Sequence, residues 1–320
     1  MNRSYVGAGA ALAVLLIAGA YGLAQQTHPP DIPFAPIEDK TLKDPDNPIK
    51  RFRVDMARVE HEHPLSRADR MKITQENLAV LSQEHVDQIY GRLTAGPIPD
   101  GKYFGDLFFS KGDEVAPGKS AQTRLGEVIG GFEGRLADRG VRFLESFGAE
   151  MWKGKVFYRD QRMLKNMIDD SLLLRPLVDK DPPIMTETVP RDGLFSRVAS
   201  RFHANEVWLL FPAKLYCGQS LLDSRRESVI VDYHFSDEIA GYRKQLDSLA
   251  DRGGLRIRDE IRMVRPGLYL GRAYANRMFL LNFTLFNPEV AERESASFAA
   301  GGAIAEDCWP ASEQIRGAAR

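Results

Sequence analysis

Residues 278–286 read MFLLNFTLF, and this stretch decides the fold. Its large apolar side chains occupy alternate positions, Phe279, Leu281, Phe283 and Leu285. Strict alternation with a period of two is typical of a β-strand that buries one face. We therefore expect a strand here whose apolar side faces the core of a sheet.

Two neighbouring stretches extend the pattern. Residues 228–235, SVIVDYHF, place Val229, Val231, Tyr233 and Phe235 on one face. Residues 261–274, IRMVRPGLYLGRAY, contain a Pro266-Gly267 turn signal, and Gly271 indicates a bulge or a close backbone approach. Together the three stretches predict antiparallel strands that form a curved sheet or a small barrel.

The remaining chain predicts an α+β protein with helices packed on this sheet. Residues 101–109, GKYFGDLFF, alternate as a further strand, with Tyr103 and Phe109 on the same face. An amphipathic helix is expected from Thr74 to Leu93, and a longer helical pattern covers residues 122–151. We expect one domain over residues 73–290 and a poorly ordered tail over residues 291–320.

The N-terminal segment predicts export. Residues 1–24 combine Arg3 with a long apolar run and a small-residue end, as a secretory signal does. The uncharged run is also long enough to remain as a membrane anchor, since about 20 residues span a bilayer. Residues 25–72 are rich in proline and then in charge, which favours an extended tether. Both alternatives place the protein in the periplasm, either soluble or tethered to the inner membrane.

Composition limits the possible functions. The 320 residues carry a formal net charge of −1, so no basic excess favours nucleic-acid binding. The chain contains only Cys217 and Cys308, and no cysteine spacing indicates structural zinc. In an oxidising compartment two cysteines allow one intramolecular disulfide, which we predict. His61 and His63 could bind a metal only with Glu60 and Glu62, so we predict no metal site and no cofactor.

Catalytic signals are weak. Ser220, Asp223 and His234 are the residue types of a serine triad, but the glycine-flanked nucleophile turn GxSxG is absent. We assign no catalytic residue from the sequence, and an enzyme of unknown class remains an alternative function.

A resemblance adds an expectation about the fold. The segments GKYFG, WKGKVF, SVIVDY and GLYLGRAY resemble a lipocalin-like domain of exported proteobacterial proteins. Tyr103 stands where true lipocalins have tryptophan, and residues 122–151 form an insertion that such barrels lack. The resemblance implies a barrel and is compatible with an apolar ligand.

The function expected from these patterns is binding of an apolar or amphipathic small molecule, such as a lipid, inside the barrel. The predicted ligand-binding residues are Tyr103, Phe109, Tyr233, Phe279 and Phe283. Gly105 and Gly271 favour a cavity over a filled core because glycine removes side-chain volume. A structural partner of an envelope complex is a further alternative, and an uncleaved N-terminal segment would add the membrane as a partner.

Overall fold

The computed structural model describes residues 28–37, 55–108, 152–169 and 207–311. It has an α+β fold built on a closed antiparallel barrel, in which each strand pairs with the next and β1 pairs with β8. The strands are β1 Gly101–Phe108, β2 Trp152–Tyr158, β3 Met163–Asp169, β4 Val207–Gln219, β5 Glu227–Asp232, β6 Ile257–Arg265, β7 Leu268–Ala275 and β8 Met278–Phe286. The barrel and its packed helices confirm the predicted fold class.

Short helices precede and follow the barrel strands, and one lies in the connection between β5 and β6. They are α1 Met56–Glu62, α2 Arg67–Met71, α3 Gln75–Ala79, α4 Gln83–Gly91, α5 Lys244–Asp247 and α6 Pro288–Ala299. Side chains at the N-cap accept backbone hydrogen bonds at the start of α1 to α4 and of α6, from Asp55, Ser66, Thr74, Ser82 and Asn287. Single 3-10 turns occur at Arg159–Gln161 and Ser236–Glu238.

The helix expected from Thr74 to Leu93 is two helices. The chain breaks before α4 at Ser82, whose hydroxyl accepts a hydrogen bond from the His85 amide at 3.3 Å. A serine hydroxyl that caps a new helix competes with continuation of the previous one, which periodicity alone does not reveal. Both helices cover the outer face of the barrel through buried apolar residues, including Leu78, Leu81, Val86, Ile89, Val264, Leu268 and Leu270.

Alternation along the strands separates the interior of the barrel from its outer face. In β8 the side chains of Leu281, Phe283 and Leu285 belong to the interior core, as predicted. The register then shifts between Ala273 and Tyr274 of β7, so that Tyr274 pairs with Phe279 and the β8 residue between Phe279 and Leu281 is left over. This bulge reverses the alternation, and Phe279 packs on Tyr274 with ring centroids 5.9 Å apart, outside the interior core.

The glycines inside the barrel make room for aromatic rings. A Cβ atom on Gly271 would lie 2.2 Å from the Phe283 ring, and one on Gly105 would lie 2.2 Å from the Trp152 ring. Trp152 and Phe283 in turn meet edge to face at 5.7 Å between centroids. The expectation that these glycines line empty space is therefore wrong, because neighbouring aromatic side chains already occupy that volume.

The two ends of the barrel differ in their connections. At one end, which we call the short end, β2–β3, β4–β5 and β6–β7 are joined by residues 159–162, 220–226 and 266–267. At the opposite end, the long end, the connections are residues 109–151, 170–206 and 233–256, besides the tight turn between β7 and β8. The first two lie outside the described residues, as does the helix expected over residues 122–151.

Described parts of the expected tether pack on the barrel domain. The Phe34 ring lies 4.4 Å from the His85 ring, and Gln88 exchanges two hydrogen bonds with the Ala35 backbone, at 2.9 and 3.1 Å. Helices α1 and α2 fall in the same stretch. The proline content argued against a helix near residue 30. It gave no information about the charged residues further along, where α1 and α2 form.

The expected tail also contains structure. Helix α6 begins at Pro288 and continues into it as far as Ala299, and Phe298 lies under the guanidinium groups of Arg67 and Arg70 at about 5 Å. Cys308 forms a disulfide with Cys217 of β4, with 5.3 Å between the Cα atoms, so the predicted pair is bonded in the structure. The small residues of this segment, SASFAAGGAIA, give no apolar stripe at helical spacing, so the sequence pattern did not predict the helix.

Candidate functional site

Four polar side chains meet inside the barrel towards the long end, and we call them the Lys155 cluster: Lys155, Asn166, Tyr233 and Asp259. The Lys155 ammonium donates to Asp259 Oδ2 at 2.9 Å, to Asn166 Oδ1 at 2.9 Å and to the Tyr233 hydroxyl at 2.6 Å. Lys155 is 2% exposed and Asp259 is 4% exposed. A buried ion pair of this kind is expensive to desolvate, so it adds little to stability compared with apolar side chains of similar volume.

The strands bring these residues together by alternation. Lys155 and Phe157 of β2 share the inward face, as do Leu164 and Asn166 of β3. On β6, Asp259 occupies an inward position next to Ile261. Each polar residue therefore occupies a position that the pattern reserves for apolar side chains.

Aromatic rings enclose the ammonium group. Lys155 Nζ lies 5.4 Å from the Trp152 ring, 5.3 Å from the Tyr233 ring and 5.4 Å from the Phe283 ring. Such rings attract a cation through their electron-rich faces. The cluster thus offers one carboxylate and three aromatic surfaces to any cationic nitrogen at this position.

Burial shifts the protonation equilibria of the cluster. It lowers the pKa of Lys155, and the nearby Asp259 carboxylate opposes that change. Burial also raises the pKa of Tyr233 well above 10, with Asp259 adding to the shift. Tyr233 therefore stays protonated at neutral pH, whereas the amine of Lys155 is easier to deprotonate than an exposed lysine.

Four apolar side chains lie near the strand ends at the long end, and we call them the apolar mouth: Leu107, Trp208, Ile257 and Leu280. All four pack against the interior core but are only half-buried, unlike the core residues below them. They come from the ends of β1, β4, β6 and β8. Accessible apolar surface at a barrel rim is a common feature of ligand sites.

The short end is closed by the chain itself. Ala95, Ile98 and Cys308 belong to the interior core. The Tyr269 hydroxyl donates to the Pro97 carbonyl at 2.6 Å, and Asp307 accepts from the Ile98 amide at 2.7 Å. Access to the Lys155 cluster through this end would require these segments to separate.

A cavity of about 690 Å³ lies outside this closure, between β1 and α6. It is lined by side chains of both charges: Asp100, Lys102, Arg159, Glu289, Arg293 and Glu294. The acidic and basic side chains in its lining are equal in number, so the cavity favours neither anionic nor cationic ligands. None of these lining residues belongs to the Lys155 cluster.

The structure places the predicted ligand-binding residues at different locations. Tyr233 and Phe283 lie at the Lys155 cluster, and Tyr103 lies in the core near the short end, edge to face with Tyr269 at 5.7 Å. Phe279 lies outside the interior core because of the bulge. Phe109 lies outside the described residues.

The considered serine triad does not assemble. Ser220 lies at the short end and accepts hydrogen bonds from the Leu222 and Asp223 amides, while His234 follows β5 at the long end. Asp223 pairs with Arg225 at 2.8 Å.

Glu60, considered as a metal ligand, pairs with Arg225 and Arg226. Cys217, Glu227 and Cys308 have metal-ligand spacing, but both sulfurs are in the disulfide.

Sequence reasoning missed Lys155, Asn166 and Asp259. A signal was present, because Asp259 stands between Ile257 and Ile261 at alternate positions that otherwise predict an apolar face. An ionisable residue in an inward register is the pattern that would have found the cluster.

Comparisons with protein-family models, with curated proteins and with solved structures found no match. The resemblance to exported proteobacterial proteins therefore stays a prediction. Among the described residues, no helix is long and apolar enough to cross a bilayer; residues 1–24 lie outside them.

Proposed function

We propose that this protein binds an amphipathic small molecule at the long end of the barrel. The apolar part of the ligand lies against the apolar mouth, and its polar group reaches the Lys155 cluster. The observation that carries the proposal is the position of the apolar mouth next to the polar cluster. Leu280 and Trp208 are half-buried at the long end, and the Lys155–Asp259 pair is buried further inside the barrel. Small-molecule sites combine mostly apolar walls with a few placed polar groups.

The filled core is the competing interpretation, and it applies at the level of the Lys155 cluster, because the Trp152 and Phe283 rings lie within 5.4 Å of the ammonium. Trp152 and Phe283 fill the space beside the two glycines. A filled core, however, gains little from a buried ion pair, since apolar side chains of similar volume are often equally stabilising. The polar groups among these rings favour ligand recognition, and a ligand must displace or repack part of this aromatic shell to reach them.

Paired substitutions in β8 test the proposal. Leu280 belongs to the apolar mouth, whereas Met278 is exposed on the same strand. Leu280→Asp should weaken binding of a fluorescent fatty-acid probe by about tenfold or more, because a lost leucine contact is worth about 1.5 kcal/mol. Met278→Asp should leave the dissociation constant unchanged. Equal binding by both variants, or no uptake of any apolar probe by the native protein, would refute the proposal.

We also propose that the protein is exported and acts in the periplasm, soluble or tethered. The Arg3-led apolar run and the Cys217–Cys308 disulfide support this, since disulfides persist in oxidising compartments. A reporter that is active only in the periplasm, fused after Arg320, tests it. An inactive fusion whose cytoplasmic counterpart is active would refute export.

A further inference from the structure

The hydrogen bonds around Lys155 are redundant. Asn166 Oδ1 also accepts from Trp152 Nε1 at 3.0 Å, and the Tyr233 hydroxyl also accepts from Asn166 Nδ2 at 3.0 Å. The Tyr233 hydroxyl can itself donate to Asp259 Oδ2 at 3.3 Å. If Lys155 gave up two of its three N–H bonds, each of its neighbours would still have a partner.

The same surroundings suit a protonated imine. An iminium nitrogen carries one positive charge and one N–H, so it can keep the bond to Asp259 while the rings of Trp152 and Phe283 face its charge. Lysines in apolar pockets serve as nucleophiles towards carbonyl compounds because their amines are more readily neutral.

We propose that Lys155 captures an apolar aldehyde or ketone as a covalent imine. This inference rests on the proposed function, since the apolar mouth would admit the chain of the carbonyl compound. It names the ligand class of that site and assigns Lys155 the role of the reacting residue.

The reaction balances with groups that are present. Lys155 Nζ transfers a proton to the Asp259 carboxylate and attacks the carbonyl carbon, so that a C–N bond forms and the carbonyl oxygen takes up that proton. Asp259 then accepts a second proton from nitrogen and delivers it to the hydroxyl, which leaves as water when the C–O bond breaks. The products are one protonated C=N bond and one water; nothing is oxidised or reduced, and Asp259 ends as the counter-ion.

Reductive trapping tests the inference on the full chain. The native protein is incubated with decanal at low excess and treated with cyanoborohydride, and the intact mass and the modified peptide are determined. The expected result is one adduct per chain at Lys155, with reduced trapping when decanol competes. Adducts spread over exposed lysines, or none at Lys155, would overturn the inference.

Two variants separate the possible outcomes. Lys155→Arg keeps the charge but cannot form an imine, and it should lose the adduct while still binding decanol. Lys165→Arg, on the neighbouring strand β3 and not part of the Lys155 cluster, should trap decanal as the native protein does. If the native protein binds decanol but traps no decanal at Lys155, the covalent step fails and the proposed function stands. If it binds neither, both fail.

Discussion

The Lys155–Asp259 pair predicts strong energetic coupling between the two residues. Lys155→Met would leave the buried Asp259 carboxylate with the Tyr233 hydroxyl at 3.3 Å as its remaining partner in the cluster. Breaking a buried ion pair by removing one partner costs about 3–5 kcal/mol. Asp259→Leu should cost about 3 kcal/mol, the low end of that range, because the amine of Lys155 can release its proton.

The double variant should recover most of this loss. With Met and Leu at the two positions no charge is buried, and the remaining cost is about 1–2 kcal/mol for the weakened hydrogen bonds of Asn166 and Tyr233. The expected coupling energy, the sum of the two single costs less the cost of the double variant, is therefore about 4–7 kcal/mol.

Urea denaturation followed by circular dichroism measures all three variants. The exposed pair Lys214–Glu238 is the matched control, and Lys214→Met should change the free energy of unfolding by less than about 1 kcal/mol. Additive effects of the Lys155 and Asp259 substitutions would refute the argument, since they would show that neither charge depends on the other for its burial.

Three further predictions concern other parts of the molecule. Gly271→Ala should lower stability by about 1–3 kcal/mol in urea denaturation, because its Cβ would lie 2.2 Å from the Phe283 ring; unchanged stability would instead show spare volume there. Replacing both Cys217 and Cys308 by serine should cost about 4–5 kcal/mol by loop entropy, and equal stability of the oxidised and reduced native protein would contradict this. Burial raises the pKa of Asp247 from its ordinary value near 3.8 to about 6. Protonation of Asp247 therefore stabilises the folded state fully below pH 3.8, and this stabilisation is lost as the pH rises through 6. Asp247→Asn should remove this change, up to about 3 kcal/mol, from the pH profile of the free energy of unfolding, and an unchanged profile would contradict the prediction.

The sequence predicted the wall of the barrel because alternation there follows burial closely. β8 and β5 were found from their own residues, and Tyr233 and Phe283 were placed correctly on the inward face. Phe279 was misplaced because a bulge inserts one residue without changing composition or hydrophobicity, so no local signal marks it.

The candidate site was harder to predict because it depends on contacts between distant segments. Lys155 and Asp259 are 104 residues apart in sequence and meet only when β2 and β6 face each other across the closed barrel. Lys155 alone looks like an exposed charge within a strand, and the alternation around Asp259 points that carboxylate inward without identifying its partner. Only knowledge of the strand register turns the two inward and makes them partners.

The described residues close the two ends of the barrel differently, which bears on where the proposed ligand would enter. At the short end, Ile98 is fully buried in the core, and the disulfide fixes Cys308 against β4. These contacts close that end without using the Lys155 cluster. The long end keeps apolar side chains such as Leu280 half-buried directly above the cluster. Substitutions at the short end should therefore change stability more than ligand binding, whereas substitutions in the apolar mouth should change ligand binding more than stability.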